Sequence, residues 1–175
     1  MGPLPFETVV EAHHAEIHRY LLRITARSSE ADDLSQETFL RAYRAYRRLD
    51  HDANVRAWLF TIATNLARNH FRSEKRRRTA QAAVRAALPT SDGAAPDGEA
   101  QLSEARAHLD GLVLGLPLKQ RAAFILRKVH DLDYEAIARS LDCSADTARA
   151  HVFQALRKIR HGLEAVGRSG MEPQP

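Results

Sequence analysis

The residues best able to do chemistry fall in 55–78, VRAWLFTIATNLARNHFRSEKRRR. Placed on a wheel at about 100° per residue, Thr61, Asn65, Arg68, Asn69 and Arg72 share one arc, and Leu59, Ile62, Ala63 and Leu66 share another. A helix of this kind buries one side and offers amides and guanidiniums on the other. Those groups suit a phosphate backbone and base edges, because an amide carries a donor and an acceptor and a guanidinium presents a fork of donors. Arg76, Arg77 and Arg78 prolong the basic character, so that 68–78 holds six Arg or Lys and a single acid, Glu74. Trp58 belongs with the core side.

A second constellation lies near the end of the chain. Asp142-Cys143-Ser144 is a turn with Ser144 as N-cap, between a short helix at Tyr134–Leu141 and a longer one at Ala145–His161. Ala148, Val152, Ala155, Leu156 and Ile159 make the inner stripe of the longer helix. Thr147, Ala150, His151, Gln154, Arg157 and Lys158 occupy its outer arc, with Arg149 at the edge. Short helix, three-residue turn and long polar-faced helix form a helix-turn-helix. In a major groove Gln154 and Arg149 would reach base edges. Arg157, Lys158 and Arg160, farther along, would meet phosphates, and Ser144 with the helix N-terminus would hold another.

Catalytic groups do not assemble. No glycine-rich phosphate loop, HExxH or GxSxG occurs. Among nine histidines, His14 and His18 have a four-residue spacing but imply no third ligand, so chance clustering explains them and no metal or other cofactor is expected. Asp32, Asp33 and Glu37 lack a histidine or metal partner in sequence, and a protein-binding acidic face is their simpler role. The single cysteine, Cys143, excludes an intrachain disulfide. No apolar run is long enough to cross a membrane and no signal peptide is evident, so a cytoplasmic, non-enzymatic protein is expected.

The elements that must position these groups are helices. The chain of 175 residues is 44% hydrophobic, 27% charged and only 6% aromatic, with net charge +4, and its alanine, leucine, arginine and glutamate favour helix over strand. A first helix runs from Phe6 or Glu7 to Ala26, with Val10, Ile17, Leu21 and Ile24 near one face. Ser28-Ser29-Glu30 turns into a second, Asp32 to Leu49. The helical pattern fades after Arg78, with Thr79–Leu88 able to add a turn or two. Pro89, Gly93, Pro96 and Gly98 then prevent regular structure, and four acids without a basic residue over 88–105 should keep the segment off DNA. Helix resumes near Gln101 and reaches Leu114, and Pro117 opens another carrying Leu118 to Val129. The expected fold is all-α: two small helical domains, 6–80 and 109–164, joined by a flexible linker over 81–108 that lets them sit well apart on a larger partner.

Taken together, the halves resemble an extracytoplasmic-function sigma factor of the sigma-70 family of bacterial RNA polymerase. Asp33 to Phe39, DLSQETF, and Arg56 to Arg72, RAWLFTIATNLARNHFR, resemble successive parts of region 2, and Leu116 to Arg160 resembles region 4. The resemblance implies that Asp33, Gln36, Glu37 and Phe39 dock on, or support docking on, the core polymerase. It implies that Asn65, Arg68 and Asn69, with Arg72, Arg76 and Arg77, hold the opened −10 strand. Ser144, Thr147, Arg149, His151, Gln154, Arg157 and Lys158 would face the −35 duplex. An anti-sigma factor, often membrane-anchored, is a further implied partner. This sequence departs from the family pattern at Asp146-Thr147-Ala148, where Gly-Thr-Val is usual, and at His151 and Gln154, where arginine is frequent. Two other readings stay open on the residues: a dimeric helix-turn-helix regulator acting alone, and a helical interaction protein with a merely solvating basic block.

Overall fold

The computed structural model describes residues 5–50, 52–84 and 102–169. Seven helices and no strand occur among them: α1 Phe6–Thr25, α2 Ser28–Tyr46, α3 Val55–Val84, α4 Leu102–Leu114, α5 Leu118–Lys128, α6 Tyr134–Leu141 and α7 Ala145–Ser169. The linker expected over 81–108 is narrowed by α3 and α4; its remainder, 85–101, lies outside the described residues.

Helices α1, α2 and α3 enclose an apolar centre that includes Ile17, Tyr20, Leu21, Ile24, Leu59 and Phe60, all nearly or fully buried. The Tyr20 hydroxyl and Thr64 Oγ1 share a 2.8 Å hydrogen bond inside it, which satisfies two groups that would each be costly to bury alone. Helix α1 ends where Ala26 turns left-handed at φ 58°, its N–H donating to the Leu22 carbonyl. That abrupt exit lets α2 begin at Ser28, earlier than the sequence reading placed it. The end of α2 also differs: regular helix stops at Tyr46, and i+3 bonds from Arg48 to Ala45 and from Leu49 to Tyr46 tighten the last turn.

The second half is built by caps. Asp133 Oδ1 accepts from the Ala136 N–H at 2.7 Å to start α6, and Ser144 Oγ accepts from the Thr147 N–H at 3.1 Å to start α7. Asp142, at φ 53°, ends α6 between them. Helix α7 continues past His161 to Ser169. Gly162 lies within it because a Cβ there would meet Leu112 Cδ2 at 2.3 Å, so its bareness admits α4.

The two halves are packed together. Helix α6 lies against both α7 and α3, and α1 touches α5. Five of the eight residues of α6 are buried, Ser140 among them. Its hydroxyl lies 3.1 Å from Thr61 Oγ1 of α3. Two arginines cross the junction in opposite directions: Arg56 of α3 donates to the His130 carbonyl, and Arg121 of α5 donates to the Ile24 carbonyl, each at 2.6 Å.

Candidate nucleic-acid interface

On α3 the polar arc divides. Asn65, Asn69, Arg72, Arg76 and Arg77 are exposed, free to meet a strand. Thr61, at the upstream end, is half-buried under α6, and Arg68 is half-buried with its Nη1 3.4 Å from Asn65 Oδ1. Glu74 takes up part of the basic run, pairing with Arg77 at 2.8 Å and lying 3.8 Å from Arg78. The core stripe has Leu59, Ala63 and Leu66 buried, with Ile62 half-buried and Trp58 packed partly against the core.

The helix-turn-helix presents Ser144, Thr147, Arg149, Gln154, Arg157 and Lys158 to solvent. Ser144 spends its oxygen as a cap and also lies 2.9 Å from Thr147 Oγ1. Arg149 pairs with Asp146 at 2.8 Å and lies over the Tyr134 ring at 5.0 Å, which holds it at the edge of the helix. Gln154 is exposed, and its Oε1 accepts from Gln120 Nε2 of α5 at 2.7 Å. His151 sits lower than the others, half-buried, and burial beside Lys119 pushes its imidazole toward the neutral form. Phe153, unassigned by sequence reasoning, is 67% exposed on α7. A large apolar side chain four residues before Arg157 on a polar arc was the available signal. Such a group suits a thymine methyl.

The acidic face lies on α2. Asp33 and Gln36 are exposed, while Glu37 pairs with Arg41 at 2.6 Å. Phe39 is 8% exposed and packs into the core beside the His14 ring, so it shapes this face from beneath. Next to these residues a groove of about 660 Å³ runs between α1 and α2, rimmed by Phe6, Val10, Leu40 and Tyr43. Leu40 and Tyr43 are exposed large hydrophobics. His18, on its wall, bonds Asp32 at 2.7 Å. Among the described residues, no group of three His, Cys, Asp or Glu is placed to hold a metal, and no helix is long and apolar enough to cross a membrane.

These features define a class: an all-helical protein that couples a three-helix domain bearing an amide-and-arginine strip to a helix-turn-helix. Residues 9–77 match Sigma-70 region 2 and residues 106–159 match Sigma-70, region 4. The RNA polymerase sigma-H factor of Pseudomonas aeruginosa is 30% identical over 92% of this chain and 87% of its own. The ECF RNA polymerase sigma-E factor of Escherichia coli K12 is 31% identical over 79% of this chain and 76% of its own. In fold, the chain is similar to the sigma factor RpoE of Bartonella quintana, crystallised with the anti-sigma factor NepR (TM-score 0.69, 23% identity, 91% of this chain and 96% of that one). It is also similar to CnrH in complex with the cytosolic domain of CnrY (TM-score 0.66, 23% identity, 91% and 88%). The chain belongs to the sigma-70 family, as an RNA polymerase sigma factor of the extracytoplasmic-function type.

Proposed function

We propose that this sigma factor works in the cytoplasm by dividing promoter recognition between its two domains, 6–80 and 109–164, while the polymerase supplies all the catalysis. Asn65 and Asn69 take the edges of unstacked −10 bases, and Arg68, Arg72, Arg76 and Arg77 hold the strand backbone. Unstacking costs a few kcal/mol per step, and capture of the exposed base and phosphate offsets it. On α7, Arg149, Gln154 and Phe153 read the −35 duplex, while Ser144, Thr147, Arg157 and Lys158 hold phosphates; His151 supports the helix from its half-buried place. Asp33, Gln36 and Glu37, shaped by Phe39, meet core polymerase alongside the apolar groove. The same faces suit an anti-sigma factor, a class of partner with which RpoE was crystallised, so that regulation is by competition.

The observation that carries this reading is the exposed Asn65–Asn69 pair beside the arginine run, in the same chain as a helix-turn-helix with an exposed polar arc. Run-off transcription with purified core polymerase on a promoter library tests it. Transcripts that need the protein and share a −35/−10 spacing are expected. Failure of active core to respond, together with a shift of a palindromic duplex by the protein alone, would favour the dimeric regulator instead.

A further inference from the structure

Gln120 of α5 and Gln154 of α7 lie 34 residues apart in sequence and meet through one bond, from Gln120 Nε2 to Gln154 Oε1 at 2.7 Å. Gln120 is half-buried and Gln154 exposed, so the bond runs from the body of the domain to a side chain on the polar arc. Both ends stand on packed backbone. Ala122 and Ala123 are buried on α5, Val152 and Ala155 on α7, and the two helices lie against each other. The Gln120 Oε1 is itself buried and has no partner among the described residues, so this amide is anchored through its nitrogen.

The bond has two consequences. A free glutamine amide turns oxygen or nitrogen to a given direction with equal ease, and ordering it on a base edge costs entropy. Held by Gln120, the Gln154 amide is ordered in advance and its oxygen is assigned to one side. Its chemistry is also narrowed. With one lone pair taken, Gln154 keeps one acceptor site and two donor hydrogens. An acceptor beside a donor matches N6–H and N7 of adenine. Guanine offers two acceptors there, which would set O6 against Oε1, while cytosine N4–H and thymine O4 offer a single bond each.

We infer that Gln120 and Gln154 form one base-reading unit, in which Gln120 is a positioning residue that fixes the Gln154 amide to read an adenine within the −35 element. This rests on the −35 reading of α7 above, and it adds a residue outside that helix and the identity of a base.

Transcription by the whole chain with core polymerase, on promoters randomised through the −35 element, tests it. In the parent, one position should favour adenine over guanine by about tenfold or more. Gln154→Ala should flatten that position. Gln120→Leu, which keeps an apolar stem on α5 but removes the donor, should reduce the same preference at least about threefold and leave the other positions as they were. In the Gln154→Ala background it should change nothing further, because its effect passes through Gln154. Gln120→Glu can only accept, so it must turn the Gln154 nitrogen inward, and adenine preference should fall at least as far. Circular dichroism should show equal helicity throughout. Parental preference in Gln120→Leu, or a loss that persists without Gln154, would overturn the positioning role. Guanine favoured in the parent, or adenine preference kept by Gln120→Glu, would overturn the assigned polarity. A parent with no preference at any −35 position would instead take down the reading of α7, and the pair with it.

Discussion

Arg56 donates to the carbonyl oxygen of His130, 74 residues farther along the chain, at 2.6 Å. One guanidinium thereby links the helix proposed to capture a DNA strand to the turn that leads into the helix-turn-helix. The bond is charge-assisted and partly shielded from water, circumstances in which such bonds are strongest.

The junction of Glu16, Arg56 and His130, where the two halves pack together, should respond to acid. Burial at the junction is the main cause that holds the His130 imidazole below the usual histidine value of 6.5, opposed by Glu16 and assisted by Arg56 and Arg23. His13, also near Glu16, is lowered by burial too. A histidine with a lowered value in the closed state favours closure fully above about pH 6.5, and that preference is lost as pH falls below it. Glu16, held low first by its hydrogen bond from Arg56, acts in the same direction only below about its ordinary 4.5. Arg56, raised by Glu16 with Asp131 assisting, stays charged throughout. The radius of gyration of the parent should rise between pH 7 and pH 5.5, and that of His130→Asn should change less.

Asn65→Ala should slow promoter opening more than it weakens binding to polymerase. The amide is exposed on α3 and contributes only once a base is unstacked. Permanganate footprinting of the −10 region, set beside a polymerase binding curve, separates the two; equal losses would remove Asn65 from the strand-capturing set.

Gln154 and Lys158 should fail in different ways. Lys158→Ala is expected to lower −35 duplex affinity across sequences and to flatten the salt dependence by about one unit of log–log slope. Gln154→Arg should change which base is preferred, since it alters the groups presented to the groove and breaks the bond from Gln120. Selection from a randomised −35 library checks both.

Ala26 adopts a left-handed conformation at φ 58°, which costs a residue with a Cβ about 1–2 kcal/mol. Ala26→Gly should therefore stabilise the chain, by about 0.5–1 kcal/mol after the greater freedom of unfolded glycine is set against it. The urea midpoint should rise with an unchanged slope.

The helix-turn-helix was legible in the sequence because its signals are local. Ser144 caps within three residues, and the Ala148–Val152–Ala155–Ile159 row follows helical spacing, so both survive with little help from the rest of the fold. The arc on α3 was legible for the same reason. Its partial cover was not, because Thr61 meets Ser140 from 79 residues away.

Composition, periodicity and caps by themselves determined that this chain is helical, where most helices begin, and which residues form an amide-and-arginine strip and a helix-turn-helix. Only the tertiary structure decided that the halves close on each other, that Phe39 lies beneath its face while Leu40 and Tyr43 stand on it, and that His130 belongs to the other domain's core. The physical reason is one of range. Helical propensity and capping act over three or four residues and leave a periodic trace. A partly buried ring of one carboxylate, one guanidinium and one imidazole is assembled from positions 16, 56 and 130, which share no period, and it exists only once the chain has folded back upon itself.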